Sequence, residues 1–144
     1  MGTPITAGAD STNKLGWLLE DLNAPGVRFA VLLSEDGLRI AHSGGVSKDD
    51  AERFAAAASG LRSLGKALGE FCGGVGNGVR QNMTEYDQGM ILITAAGEGA
   101  LLGVATNTDA DVGLVAHRMN ELAGRVGHEL GSQPRGRADS GGLP

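Results

Sequence analysis

Aromatic side chains make up only 3% of this 144-residue chain, and one cysteine, Cys72, stands without a partner. An internal disulfide is excluded, so aliphatic side chains must build the core, and a reducing cytoplasm is the expected compartment. No apolar run approaches the ~20 residues of a membrane span, and no charged-then-apolar leader opens the chain. Direct membrane insertion is not expected; recruitment to a membrane would run through partners. Basic charge is scarce as well, since 12 Lys+Arg against 17 Asp+Glu leave a formal charge of −5 and a pI near 5.1. Nucleic-acid phosphates demand clustered cations, so DNA and RNA are not expected partners.

What is present suffices for one core: 41% hydrophobic residues and 25 glycines, in a chain of single-domain length. Residues 1–12 and 131–144 carry no periodic apolar positions and read as disordered tails around a folded unit spanning 13–130. Within it, Leu15, Leu18, Leu19 and Leu22 share one helical face, and Pro25-Gly26 ends that helix, placed at 13–23. Residues 27–33 are nearly all apolar and read as a strand buried on both faces. A turn through Ser34-Glu35-Asp36-Gly37 leads to 38–42, a strand exposed on one face. Three further strands, 79–86, 90–96 and 100–106, are joined by turns too short for anything but antiparallel pairing. That excludes a parallel βαβ sheet and the nucleotide site at its mouth. The fold class is therefore α+β: one five-stranded antiparallel sheet in the order 2-1-5-4-3. The polar strand 79–86 lies at a rim, one long helix covers one face, and two helices cover the other.

The long helix opens at Ser47, with Asp50 three residues on as in a capping box, and is expected to reach Phe71. Phe54, Ala57, Leu61, Leu64, Leu68 and Phe71 form a stripe of mostly large side chains expected to cover the sheet. Ala56, Gly60, Ser63 and Ala67 form an adjacent stripe of small ones, flat enough for another helix at short distance. Arg62, Lys66 and Glu70 read as a solvated arc. The last helix is placed from Thr108, with Val112, Val115, Met119, Leu122 and Val126 inward.

Apparent chemical motifs dissolve on inspection. Residues 60–67 have P-loop spacing, but Ala67 stands where the magnesium-binding Ser or Thr belongs, and the segment is helical, so its N–H groups are already engaged. The glycine run 73–78 fits a plain helix-to-strand connection. His117 and His128 are about three helical turns apart, too far for one metal, and His42 and Cys72 add no ligand set. His42 and Ser43 point to opposite faces of a strand, and no nucleophile elbow occurs. No catalytic, cofactor or metal site is expected.

The residues 15–22, 25–27 and 31–38, together with Asp49-Asp50-Ala51-Glu52-Arg53, Ala57-Ala58-Ser59-Gly60-Leu61 and the stretch from Thr106 to Val115, resemble the roadblock/dynein light chain domain. They are similar to its bacterial members encoded beside a small Ras-like GTPase and a histidine-kinase-like protein. The resemblance covers roughly 13–130. It implies a homodimer in which the third strand and the long helix each meet their own copy, and the chain's own pattern leaves the same two surfaces spare. Ala56, Gly60, Ser63 and Ala67, with Arg80, Asn82 and Thr84, are the expected two-fold interface. The alternative is that the small stripe only eases packing within one subunit. The resemblance further implies a non-catalytic regulator of a small Ras-like GTPase, with Arg53, Arg62 and Lys66 as GTPase-facing residues. The competing class is a small-molecule-sensing module with a cavity between sheet and helix; its polar candidates are Thr94 and Thr106.

Overall fold

The computed structural model describes residues 13–73, 78–97 and 99–131. Both tails and most of the glycine run lie outside the described residues. A 3₁₀ helix, Gly16–Leu22, leads into β1 (Val27–Ser34) and β2 (Arg39–His42); the long helix α1 (Lys48–Leu68) follows and closes with a 3₁₀ turn, Gly69–Cys72. Then come β3 (Gln81–Tyr86), β4 (Gly89–Ala95), β5 (Ala100–Asn107) and the last helix α2 (Val112–Gly131). The five strands form one antiparallel sheet in the order β2-β1-β5-β4-β3, as expected from the short turns.

Alternation along the central strands splits the core into two layers. Leu32, Leu92, Leu102 and Val104 meet Leu18, Leu19 and Leu22 of the 3₁₀ helix and Val115, Met119, Leu122 and Val126 of α2. Val31, Leu33, Ile93 and Leu101 point the other way, toward Ala51, Ala55 and Ala58 of α1. Two helices thus share one face and α1 takes the other, as patterning required.

Five details differ from the sequence expectation. The first helix is 3₁₀ rather than α, with Leu18 N and Asn23 N donating to the carbonyls of Leu15 and Glu20, three residues back. Three residues per turn align Gly16, Leu19 and Leu22 in one buried row. Gly16 is needed there because an added Cβ would stand 2.6 Å from Asn13 Nδ2. The second strand begins at Arg39, and its Ala41 and His42 are both buried. Ala41 packs into the layer of the 3₁₀ helix and α2, and His42, opposite Val31, shares the face covered by α1; the Asn13 side chain donates to His42 O at 2.9 Å and accepts from His42 N at 2.8 Å. The third strand begins at Gln81, so Arg80 precedes it. The last helix opens after Asp111, whose carboxylate accepts from Leu114 N at 3.1 Å; Thr108 lies in the preceding turn.

The fifth difference is the largest. The long helix is N-capped by Ser47 as expected, with Asp50 N donating to its hydroxyl at 3.1 Å. It buries Ala51, Ala55 and Ala58, however, while Leu64, Leu68 and Phe71 are 67%, 64% and 78% exposed. The helix is turned by about a quarter turn from the expected face. The sheet already supplies large side chains on this side, so small helical residues fill the remaining space. Phe54 crosses the gap: its ring lies edge-on to Phe29 at 5.3 Å between centroids and rests on Gly103 of β5.

A Cβ at Gly103 would lie 2.6 Å from Phe54 Cε1. Gly103→Ala is expected to lower stability by about 1–3 kcal/mol through displacement of that ring, read as a lower urea midpoint with unchanged slope.

Candidate protein-binding surface

Because α1 seats on alanines, its large residues flank an open groove instead of filling the core. Phe54, Ala57, Leu61 and Leu64 of the helix and Tyr86, Ile91 and Ile93 of the sheet line this groove, about 650 Å³ in volume, with Gly60 and Ser63 at its margin. Tyr86 reaches it because residues 82, 84 and 86 of β3 share the face of Ile91 and Ile93: Asn82 pairs with Ile93 and Thr84 with Ile91.

Beside the groove runs the rim. β3 pairs with β4 on one side only, and among the described residues no strand lies beyond it. The opposite rim is treated differently. β2 is four residues long, and Asn13 occupies both main-chain groups of His42, so that edge is closed by a side chain acting as a strand residue.

The expected interface residues fall into two groups. Ala56, Gly60, Ser63 and Ala67 are all exposed, on the side of α1 away from the sheet, and a Cβ added at Gly60 would meet nothing within 4 Å. Asn82 and Thr84 are half-buried on the groove face of β3; Arg80 is exposed ahead of it, its carbonyl accepting from Thr94 Oγ1 at 3.2 Å. Tyr86 and Ile91 were not singled out in the sequence as surface residues, and Leu64 was assigned to the stripe covering the sheet. Tyr86 was findable, since it continues the period-two set of Asn82 and Thr84; Leu64 was misplaced because hydrophobicity ranks leucine above alanine for the core.

The three expected GTPase-facing residues separate. Arg53 is exposed and pairs with Asp50 at 3.0 Å, and Lys66 is exposed. Arg62 contradicts the solvated-arc expectation, being only 9% exposed, with Nε and Nη1 unpartnered. The reason is angular: nine residues put Arg53 and Arg62 about half a turn apart around the helix, so one faces solvent when the other faces the sheet. In the helix's first turn Lys48 Nζ lies 2.9 Å from Glu52, and that hydrogen bond, together with the ammonium charge, holds the Glu52 carboxyl below its ordinary range.

The threonines that a sensing pocket needed are engaged inside the sheet. Thr94 donates to Arg80 O, and Thr106 Oγ1 accepts from Met90 N at 3.2 Å. A second concavity, of about 380 Å³ between the 3₁₀ helix and β1, includes Ser43, whose hydroxyl accepts from Ala30 N and faces Gly44 O.

The model of the Roadblock/LC7 domain family matches residues 16–106. The Roadblock/LC7 domain of Streptomyces avermitilis is 36% identical, with a TM-score of 0.75 over 82% of this chain and 98% of its own. A second structure of such a domain from that organism is 43% identical, with a TM-score of 0.62 over 78% and 98%. MglB of Myxococcus xanthus, 18% identical, shares the fold with a TM-score of 0.71 over 86% of this chain and 100% of its own. No curated protein matches the sequence. The order and spacing of the elements, the matched residues and the identity to the Streptomyces domains agree, and the chain belongs to the Roadblock/LC7 family.

Since Leu64 and Phe71 contribute nothing to the subunit core, the double substitution Leu64→Ser with Phe71→Ser is expected to leave folding stability within about 0.5 kcal/mol. Unfolding is followed at dilutions where single subunits remain, so that any contact between copies does not enter; a loss of about 2 kcal/mol or more would place the two side chains in the subunit core.

Proposed function

We propose that this chain is a non-catalytic, homodimeric regulator that binds a small Ras-like GTPase of a bacterial signalling system and modulates its GTP hydrolysis. The observation that carries the reading is the open rim of β3 beside an apolar groove and a small-residue helix face. Edge strands invite pairing, and helices with small side chains approach closely, so two copies related by a two-fold axis would cover all three features at once. Ala56, Gly60, Ser63 and Ala67 of α1, with Arg80, Asn82 and Thr84 at the rim, are the proposed contact, extended by Leu64 and Tyr86. Self-association also has a precedent within the fold, in a structure of MglB described as having a tetrameric arrangement.

In this reading the folded unit is 13–130, and the joined α1 helices form the platform for the GTPase. Arg53 and Lys66 remain its facing residues; Arg62 leaves that list because it is covered. A histidine-kinase-like protein is the further partner. The setting is the cytoplasm, with membrane recruitment through partners; among the described residues no helix is long and apolar enough to cross a membrane.

Gly60→Trp is accommodated by a lone subunit, since nothing stands within 4 Å of the new Cβ. Light scattering is expected to report a two-chain mass for the native protein and a one-chain mass for the variant; an unchanged dimer would remove α1 from the interface. The chain should also be retained by the GTPase encoded beside it, with a preference between the GTP-loaded and GDP-loaded forms. Binding to neither form discards the proposal. In hydrolysis assays Arg53→Ala should change the stimulated rate by less than about tenfold, against the 10³–10⁵ carried by an arginine finger.

A further inference from the structure

The 3₁₀ winding that buries Gly16, Leu19 and Leu22 turns Trp17 outward, and the single tryptophan of the chain is left 58% exposed. It lines a concavity of about 440 Å³ between the 3₁₀ helix and α2, on the sheet face away from α1. Gly124 lines the same concavity without a side chain, and a Cβ added there would meet nothing within 4 Å. The charges around it favour a cation. Glu121 and Glu129 supply two carboxylates, whereas Arg125 is already held by Asp21; His128 completes the polar wall, and His117 stands 3.4 Å from Glu121. An exposed indole face beside two carboxylates suits a guanidinium, which is drawn to the ring and donates its N–H groups to the acids.

The sequence supplies such a group close by. Helix α2 ends at Gly131, and Ser132-Gln133-Pro134-Arg135-Gly136-Arg137 follow, two arginines ahead of a single acid, Asp139. Proline cannot continue a helix. Gly124 lies seven residues before the end of α2, about 10 Å along its axis, and the four residues from Gly131 to Arg135 can span up to about 13 Å. A chain that turns back along α2 therefore brings Arg135 level with the concavity.

We infer that this concavity is a guanidinium site and that its occupant is the chain's own Arg135-Gly136-Arg137 segment, turned back along α2. One guanidinium lies on the Trp17 indole, and Glu121 and Glu129 hold the two arginines in place. The contact ties the end of α2 to the 3₁₀ helix, and Trp17 is then offered only to a partner that displaces the segment. Tethering gives the segment a local concentration in the millimolar range, so a weak contact suffices. The site lies across the sheet from α1, so the inference stands apart from the homodimer proposed above.

Because Trp17 is the single tryptophan, quenching of its fluorescence by acrylamide reports this site alone. The full chain is compared with its Arg135→Gln, Arg137→Gln double variant. The quenching constant is expected to rise about twofold in the variant, since a stacked guanidinium covers one of the two indole faces. Salt at about 1 M should raise the native chain to the same level and leave the variant unmoved. A peptide of residues 132–144, added at millimolar concentration to the double variant, should restore the protection. Adding Gly124→Leu to that variant, which fills the concavity with a better helix former, should abolish the effect of the peptide, and adding Glu121→Gln with Glu129→Gln should weaken it severalfold. Native chain and double variant quenched alike overturn the inference and leave the concavity open to some other partner. Peptide protection undiminished by both sets of added substitutions also overturns it, because the contact then lies elsewhere. Protection of the native chain that fades on dilution overturns the occupant, assigning the site to the segment of a second copy.

Discussion

The close seating of an alanine-faced helix on a sheet of large aliphatic side chains governs the rest of this molecule. Val31, Leu33, Ile93 and Leu101 already occupy the space beneath α1, so Ala51, Ala55 and Ala58 are the residues that fit above them. Once those three face inward, helical geometry leaves no freedom: Leu64, Leu68 and Phe71 turn outward, Ala56, Gly60, Ser63 and Ala67 face away from the sheet, and Arg62 turns in. Phe54 on Gly103 holds this rotation in place, since the ring can come so close only where the strand has no side chain. The groove, the bare helix face and the covered guanidinium are three consequences of one packing choice.

The two rims of the sheet show how differently an exposed edge can be resolved. At β2 the strand is short and Asn13 occupies the outward main-chain groups, which blunts the edge within the subunit. At β3 nothing comparable is present among the described residues, and apolar surface lies directly beside the open edge. An edge that is hydrogen-bond-competent and flanked by apolar side chains gains from being covered on two counts, through the ladder and through burial. Membership of the Roadblock/LC7 family places this arrangement among related domains of bacterial origin, and the proposed regulatory role follows from surfaces, with no catalytic constellation required.

Much of the architecture was readable in the chain. Turns through Asp87-Gln88-Gly89 and Gly97-Glu98-Gly99 leave no length for a crossover, so antiparallel pairing and the order of strands followed from spacing. The inward face of α2 followed from Val115, Met119, Leu122 and Val126, whose side chains are large and unopposed by a second candidate stripe. The 3₁₀ character of Gly16–Leu22 was not readable, because apolar positions at three- and four-residue steps suit either helix over so short a span; nor was the pairing of Asn13 with His42, 29 positions away.

Order of elements, sheet topology and the polar rim at β3 were settled by the amino-acid series alone, since they depend on local turn length and on alternation within a strand. The rotation of α1, and with it the groove around Leu64 and Tyr86 and the burial of Arg62, came only with assembly in three dimensions. The helix carries two neighbouring apolar stripes of similar claim, and the one that turns inward is chosen by the volume of side chains arriving from strands remote in sequence, a quantity that no window along the chain contains.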